Sequence, residues 1–583
     1  MRFAERVHWL QASGLFLVST VSVLLLAACS AEDTPAEPAV DAADSVLLNG
    51  VVYTVDADRS QAEALAIRDG RILAIGSNED IETMVGPDTR VIDLDGGMAL
   101  PGFHDAHVHP TMGGYALAGC NLESERSIQG ILDAVEACHR QNPEGWLEGH
   151  AFDLALFGQD GASRSLLDGI STERPIVLWA SDGHNAWVNT LAVELAGITA
   201  ETRDPDLGVI EREADGRPSG TLRETAQEIV RQVMPRPTHE GNVEALARGI
   251  AHLNANGITS FIDAWVGEED YLSYQALEQA DRLHARVVTS LVYESGFAKH
   301  SGDDFERVLG SRTQYQSDRI NHDSIKLFLD GVLEGETAAL VEPYLGMHQW
   351  RGDLILDESQ LDEAVTRFDA MGLQVHMHAI GDRAVRAGLD AIEAAGKANG
   401  PSDNRHHISH LQLIHIDDID RFGELATAAN FQAMWAYPDD WILELNLPVL
   451  GQERVQGMYP IASVARSGGK IVGGSDWNVS SASPLEAIET AMRRQDPNAE
   501  DGPVLNESER VGLAAMIEAY TINGAWLMHH EHITGSLEPG KRADITVLDR
   551  DLFQVPVGEI SEVNIVRTIL EGETVYTAAG EGQ

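Results

Sequence analysis

Asp323–Val332 reads "DSIKLFLDGV". Ile325, Leu327, Phe328 and Leu329 make the short apolar run of a buried β-strand. Lys326 interrupts it, although an ammonium group is costly to desolvate and the chain holds only five lysines, at 299, 326, 397, 470 and 541. Taken alone, Lys326 reads as half of a buried ion pair with Asp330, two pleats on along the same face. The surrounding sequence gives it another setting. Strand-like segments alternate with helix-length ones, and eight can be counted: "MALPGFHDAHVHP", "GITSFIDAW", "RVVTSLVYES", "SIKLFLDGV", "LQVHMHAIGD", "RHHISHLQLI", "NFQAMWAY" and "KIVGGSDWN". Eight βα units predict an α/β protein built on a (β/α)8 barrel of the TIM type.

The flanks have a different pattern. "SVLLNGVVYTVD", "ALAIRDGRILAIG" and "TRVIDLDGGMAL" carry the alternation and the Asn-Gly and Asp-Gly pairs of hairpins, and "GKRADITVLDRD" and "VRTILEGETVYT" resemble them at the other end. Residues 44–98 with 533–583 are therefore expected to form one small β-sandwich, and 99–532 the barrel. Between the first two barrel strands lies a stretch, 113–245, too long for a structureless loop. It has a strand signal of its own, "RPIVLWASDGH", and reads as a subdomain inserted over the barrel mouth.

A chain of 583 residues has room for a large core, and its apolar content is that of a globular protein. The formal net charge of −51 repels phosphate backbones, which excludes nucleic acid as a partner. It describes a strongly solvated acidic surface and leaves a homo-oligomer open.

Residues 1–28 read as a targeting segment. Arg2 and Arg6 precede the apolar "GLFLVSTVSVLLLAAC", which ends in Leu26-Ala27-Ala28-Cys29. This resembles a bacterial lipobox, which implies cleavage before Cys29 and lipid attachment to its sulfur. Ser30 follows, so outer-membrane sorting is favoured. Residues 29–43 are an acidic, Pro/Ala-rich tether. The expectation is a folded body held at a bacterial membrane on the periplasmic side by a lipid on Cys29. Cys120 and Cys138 are the other two cysteines. An oxidising compartment would permit a disulfide between them, and two free thiols fit the sequence equally well.

Polar residues gather at the ends of the strand candidates. His107 and His109 are two apart, so on a strand both imidazoles face one way and can reach one metal ion. His378, His410 and Asp476 close the fifth, sixth and eighth candidates. Such barrels place their active sites at the C-terminal ends of the strands. Four imidazoles and a carboxylate there suit Zn²⁺ or a similar divalent ion.

"LPGFHDAHVHP", "IKLFLDG", "VHMHAIGD", "RHHISH" and "GGSDWN" together resemble the metal-binding strands of the amidohydrolase superfamily, and "SLEPGKRADITVLD" its C-terminal sheet segment. The insertion with "DGHNAWVN" and the later "GTLRETA" is similar to the amidohydrolase family 3 branch, which includes N-substituted formamide deformylases. The resemblance implies two divalent ions. His107, His109 and Asp476 would hold the more buried one, and His378 and His410 the other. Lys326 would bridge them as a carboxylated lysine. Burial depresses a lysine pKa and frees the neutral amine that CO₂ requires. Water shared between the ions would react as hydroxide, with Asp476 as the general acid/base that carries its proton to the leaving nitrogen.

Two departures from the branch bear on the pocket more than on the ligands: Ser409 replaces a glutamate before His410, and "AMWAYPDDW" lacks the usual Gln-Pro pair near a histidine. Substrate-side candidates are His184, Glu224, Asp330, Asp382 and Arg383, with Trp187, Trp435, Trp441 and Trp477 for an apolar wall. The expected activity is hydrolysis of an amide-type C–N bond in a small molecule. The alternatives are a lactone, carbamate or cyclic imide on the same fold, or a non-catalytic solute-binding lipoprotein.

Overall fold

The structure is a computed structural model that describes residues 42–141, 144–293 and 300–579. The leader, Cys29 and most of the tether lie outside the described residues. Among the described residues no helix is long and apolar enough to cross a membrane.

Eight parallel strands form the central sheet: β1 (Phe103–Val108), β2 (Ile258–Val266), β3 (Arg286–Val292), β4 (Ile320–Phe328), β5 (Gln374–Ala379), β6 (His407–His410), β7 (Ala428–Phe431) and β8 (Lys470–Gly473). They neighbour one another in sequence order from β1 to β8. The two end strands meet just past their C-termini, where Asp476 donates its N–H to His107 O at 2.8 Å and His109 to Trp477 O at 2.7 Å. This is the TIM-type barrel expected from the alternation.

Alternation along β4 shows why it folds as a barrel strand. Ile325 and Leu327 face outward and join the large cluster formed with the surrounding helices, while Ser324 and Lys326 point inward. Deeper inside, Ala106, Ile262, Val288, Ala428 and Val472 come together from five strands with Leu527 and Met528. The interior is thus apolar below and polar at the mouth.

The terminal segments form two sheets. One has four strands from residues 45–93; the other joins Val51–Tyr53, Gln61–Ala62 and Met98–Pro101 to Ile545–Leu548, Ile565–Leu570 and Glu573–Thr577. Leu47, Leu65 and Ile67 pack against Ile545, Val547 and Ile569 between them. One boundary moves. Met98–Pro101 pairs with Ile545–Leu548 and belongs to the sandwich, and the barrel begins only after Gly102, where a Cβ would stand 2.2 Å from Thr259 Oγ1. The run "MALPGFHDAHVHP" is therefore two strands with a close crossing between them. Arg286 at the start of β3 ties barrel to sandwich. Its guanidinium lies 3.0 Å from Asp544 and 2.6 Å from Glu571.

The insertion holds a six-stranded mixed sheet running from Cys120–Asn121 to Pro218–Glu224. Its expected end at 245 falls inside the helix His239–Ala255, which packs on the helix Pro110–Ala118. At Gly114 a Cβ would meet the Ala245 carbonyl at 1.8 Å, so both helices belong to the barrel wall. Cys120 and Cys138 are joined as a disulfide, Cα to Cα 5.9 Å, which clips the helix Ile128–Gln141 to the edge of that sheet.

Candidate active site

At the C-terminal mouth of the barrel the structure brings together His107, His109, Lys326, His378, His410 and Asp476, all around one cavity of about 220 Å³. Asp476 is the hub. Its Oδ1 lies 3.0 Å from His109 Nε2 and 3.3 Å from His107 Nε2, and its Oδ2 lies 3.9 Å from His410 Nδ1. Lys326 Nζ is 3.4 Å from His107 Nε2. The His378 and His410 rings stand 4.5 Å apart, and His107 and His410 4.7 Å.

Two of these positions depend on unusual backbone. In β6 His407 and Ser409 point inward beside His376, so strict alternation would send His410 outward with Ile408. Its φ of 78° turns the chain and swings the imidazole over the mouth, and Asp476, at φ 55°, makes a similar turn after β8. Non-glycine residues seldom adopt this region, so at both positions the surrounding structure holds the turn in place.

The electrostatics prepare the groups as ligands. Burial first, and neighbouring cationic groups second, hold His107, His378 and His410 well below the usual imidazole pKa. Burial likewise brings Lys326 down to about 7, against the opposing pull of Asp476. Asp330 is not the partner of Lys326. Its carboxylate accepts the backbone N–H groups of Ala339, Ile380 and Gly381 at 2.8 to 3.0 Å. Asp476 Oδ1, His109 Nδ1 and His410 Nδ1 are buried without a hydrogen-bond partner, and ligand atoms of His107, His410 and Asp476 fall within 4.8 Å of one another. Neutral imidazoles, a carboxylate and a buried amine with unspent lone pairs fit divalent ions.

Behind the ligands is a residue that the sequence reading passed over. His376 Nε2 lies 2.9 Å from His107 Nδ1 and 2.9 Å from Ser409 Oγ, and its Nδ1 lies 3.0 Å from Ser290 Oγ. This fixes the His107 ring with Nε2 toward Asp476, the kind of outer support that metal-site histidines need. The signal was present, since "HMH" repeats the HxH spacing of β1. Ser409, expected to bear on the pocket, bonds His376 and through it steadies His107.

The substrate-side candidates divide. His184 lines the cavity, and its Nδ1 lies 2.7 Å from Glu224 Oε2, whose other oxygen accepts the Thr337 hydroxyl at 2.7 Å. Burial opposes its protonation, but Glu224 and Asp182 overcome this and raise its pKa to about 9. Asp330, Asp382 and Arg383 do not border the cavity, although Asp330 Oδ1 lies 3.8 Å from His378 Nε2. Asp330 accepts the three backbone donors, and Asp382 accepts the Val341 N–H at 2.8 Å in the first turn of its helix. Arg383 follows it there, its N–H bonded to Ala339 O. Trp435 and Trp441 line the cavity. Trp187 is core of the insertion, against Phe152 and Phe157, and Trp477 stacks on His252.

Residues 90–576 match the profile of the Amidohydrolase family. Over 553 residues the chain is 30% identical to Protein LONG AFTER FAR-RED 3 of Arabidopsis thaliana, covering 92% of each. It is 26% identical over 553 residues to N-substituted formamide deformylase of Arthrobacter pascens, covering 92% of this chain and 99% of that protein. Among solved structures, an uncharacterized metal-dependent hydrolase from Pyrococcus furiosus superposes with a TM-score of 0.67 at 25% identity, covering 87% of this chain and 99% of that one. The family match takes in the barrel, the insertion and five of the ten sandwich strands, so the protein belongs to the amidohydrolase family and is a metal-dependent hydrolase of that superfamily.

Proposed function

We propose that the protein hydrolyses an amide-type C–N bond of a small molecule, giving a carboxylic acid and an amine. The observation that carries this is the placement of Asp476, within 3.9 Å of three imidazoles and open to the cavity. His107, His109 and Asp476 would hold one divalent ion and His378 and His410 a second, with Lys326, carboxylated by CO₂, between them; Zn²⁺ suits this donor set. Divalent ions held there would supply Lewis acidity and a lowered pKa for water. Asp476 then takes the proton of the attacking water and delivers it to the nitrogen as the C–N bond breaks. His184, held protonated by Glu224, would donate to the substrate from the insertion side. Trp265, Phe328 and Trp435 line the cavity beside His109, His378 and His410 and give the cradle an apolar surround.

A relative of 26% identity named for formamide deformylation favours an N-formyl or N-acyl amine as substrate. The test is a panel of N-formyl and N-acyl amines, lactones, carbamates and cyclic imides given to the metal-loaded protein. Turnover of amides that Asp476→Asn reduces by about a thousandfold or more supports the reading. Turnover confined to lactones, carbamates or imides moves the bond but keeps the fold, and binding without turnover of any of them would make the protein a solute-binding lipoprotein. The lipid anchor on Cys29 and a periplasm-facing location belong to the same proposal, and the Cys120–Cys138 disulfide supports an oxidising compartment. Cys29→Ala should release the protein from membranes.

A further inference from the structure

Away from the metal cradle, three carboxylates border the same cavity from three separate elements: Asp182 from the insertion, Glu334 from the loop after β4 and Asp439 from the loop after β7. Each is half-buried. Each is held from behind by uncharged donors. Asp182 accepts the backbone N–H groups of His184 and Asn185, Glu334 the Asn446 amide at 2.9 Å, and Asp439 the Ile442 N–H at 2.8 Å. Among the described residues none of the three is ion-paired with a lysine or arginine; the nearby cation is the His184 imidazolium, which is paired with Glu224 at 2.7 Å and also interacts with Asp182 and Glu334. They lie close enough to feel one another. Glu334 acts on Asp439 and Asp182 on Glu334, and burial raises the pKa of all three, Asp439 to about 7.

A second observation points the same way. Asn446 and Gln412 border the cavity and are buried, 1% and 7% exposed. Their side-chain oxygens, Asn446 Oδ1 and Gln412 Oε1, have no hydrogen-bond partner. The Asn446 orientation is fixed, because turning its amide would set oxygen against the Glu334 carboxylate. This end of the cavity therefore offers acceptors, charged and neutral, in excess of donors. The Trp441 and Tyr437 rings complete the wall, and aromatic faces attract cations.

We infer that this wall, Asp182, Glu334 and Asp439 with Asn446 and Gln412, is a subsite for a cationic group, so that the preferred substrate is an amide whose other end carries an ammonium or guanidinium. A group with several N–H donors satisfies the unspent oxygens and the carboxylates together, which a neutral or anionic tail cannot do. The inference rests on the amide-hydrolysis reading for the bond that is cut, but the subsite itself can be tested by binding alone.

Two measurements separate them. Calorimetry with metal-loaded protein compares phenethylammonium with 2-phenylethanol, a neutral molecule of the same shape. The subsite predicts binding at least about tenfold tighter for the ammonium, with Glu334→Gln and Asp439→Asn each cutting that ratio severalfold. Mono-N-formyl diamines, compared with formamides of n-alkylamines of equal length, should show the same preference in kcat/KM. Equal binding of ammonium and alcohol overturns the subsite, as does a preference that both substitutions leave intact. If ammonium binding is selective and sensitive to both substitutions while no amide is turned over, the amide reading falls and the subsite stands. Turnover of formamides with no preference for the charged ones overturns the subsite alone.

Discussion

His184 sits 2.7 Å from Glu224 with its pKa raised from 6.5 to about 9. A raised folded-state pKa stabilises the fold fully below the unfolded value and loses that contribution as pH rises through the folded one. The pair therefore supports the insertion below about pH 6.5 and ceases to do so above about pH 9. His184→Gln should cost up to about 3 kcal/mol at about pH 6 and little at about pH 9.5, read from denaturation midpoints of both proteins. Equal costs at the two pH values would contradict the pairing. At this scale the sequence was readable where a residue type has few other uses, as with HxH on a strand or lysine in an apolar run. It did not separate Asp330 and Asp382 from the cavity lining, because a carboxylate that satisfies backbone donors and one that meets substrate look alike until the backbone is folded around them. The acidic wall was hidden for the converse reason. Asp439 lies inside "AMWAYPDDW", but nothing local says that it shares a cavity with Asp182 and Glu334.

Single elements explain why the motifs land where they do. The strands were legible from their apolar runs, and only their limits moved: the seventh starts at Ala428, two residues before its motif, and the first splits at Gly102. The turn that aims His410 was not legible, since a positive φ at a histidine has no sequence mark. Within the insertion, the helix Ile128–Gln141 is held to the sheet edge by an element the sequence left undecided, the Cys120–Cys138 bond, which spans 18 residues. Closing a loop of that length is worth about 3 kcal/mol. Cys138→Ser, or reductant on the native protein, should lower the insertion's resistance to proteolysis and unfolding by about that amount. A non-reducing digest should recover the two cysteine peptides as one. Separate peptides from oxidised protein would contradict the bond.

The whole molecule is a barrel whose bottom is fastened to a sandwich made by both chain ends. Arg286, 1% exposed, is the buried fastener, shared between Asp544 and Glu571, with Arg319 2.6 Å from the latter. Breaking a buried pair strands a charge. Asp544→Ala should destabilise the protein by about 3 kcal/mol, seen as a lower unfolding midpoint, and a midpoint unchanged from wild type would show that barrel and sandwich do not rely on the pair. That both ends of the chain build one sandwich was legible from their matching hairpin signals. How it is bolted to the barrel was not, because Arg286 and Asp544 are far apart in sequence.

The central claim is that Lys326 completes a two-metal cradle. Metal content per chain, measured by mass spectrometry on wild type and Lys326→Ala purified alike, tests it most directly. A two-metal cradle predicts about two divalent ions in the wild type, loss of metal and activity in Lys326→Ala, and partial recovery of both with short carboxylic acids. A Lys326→Ala protein that keeps the full metal complement, or a wild type that hydrolyses its substrate without metal, would contradict it.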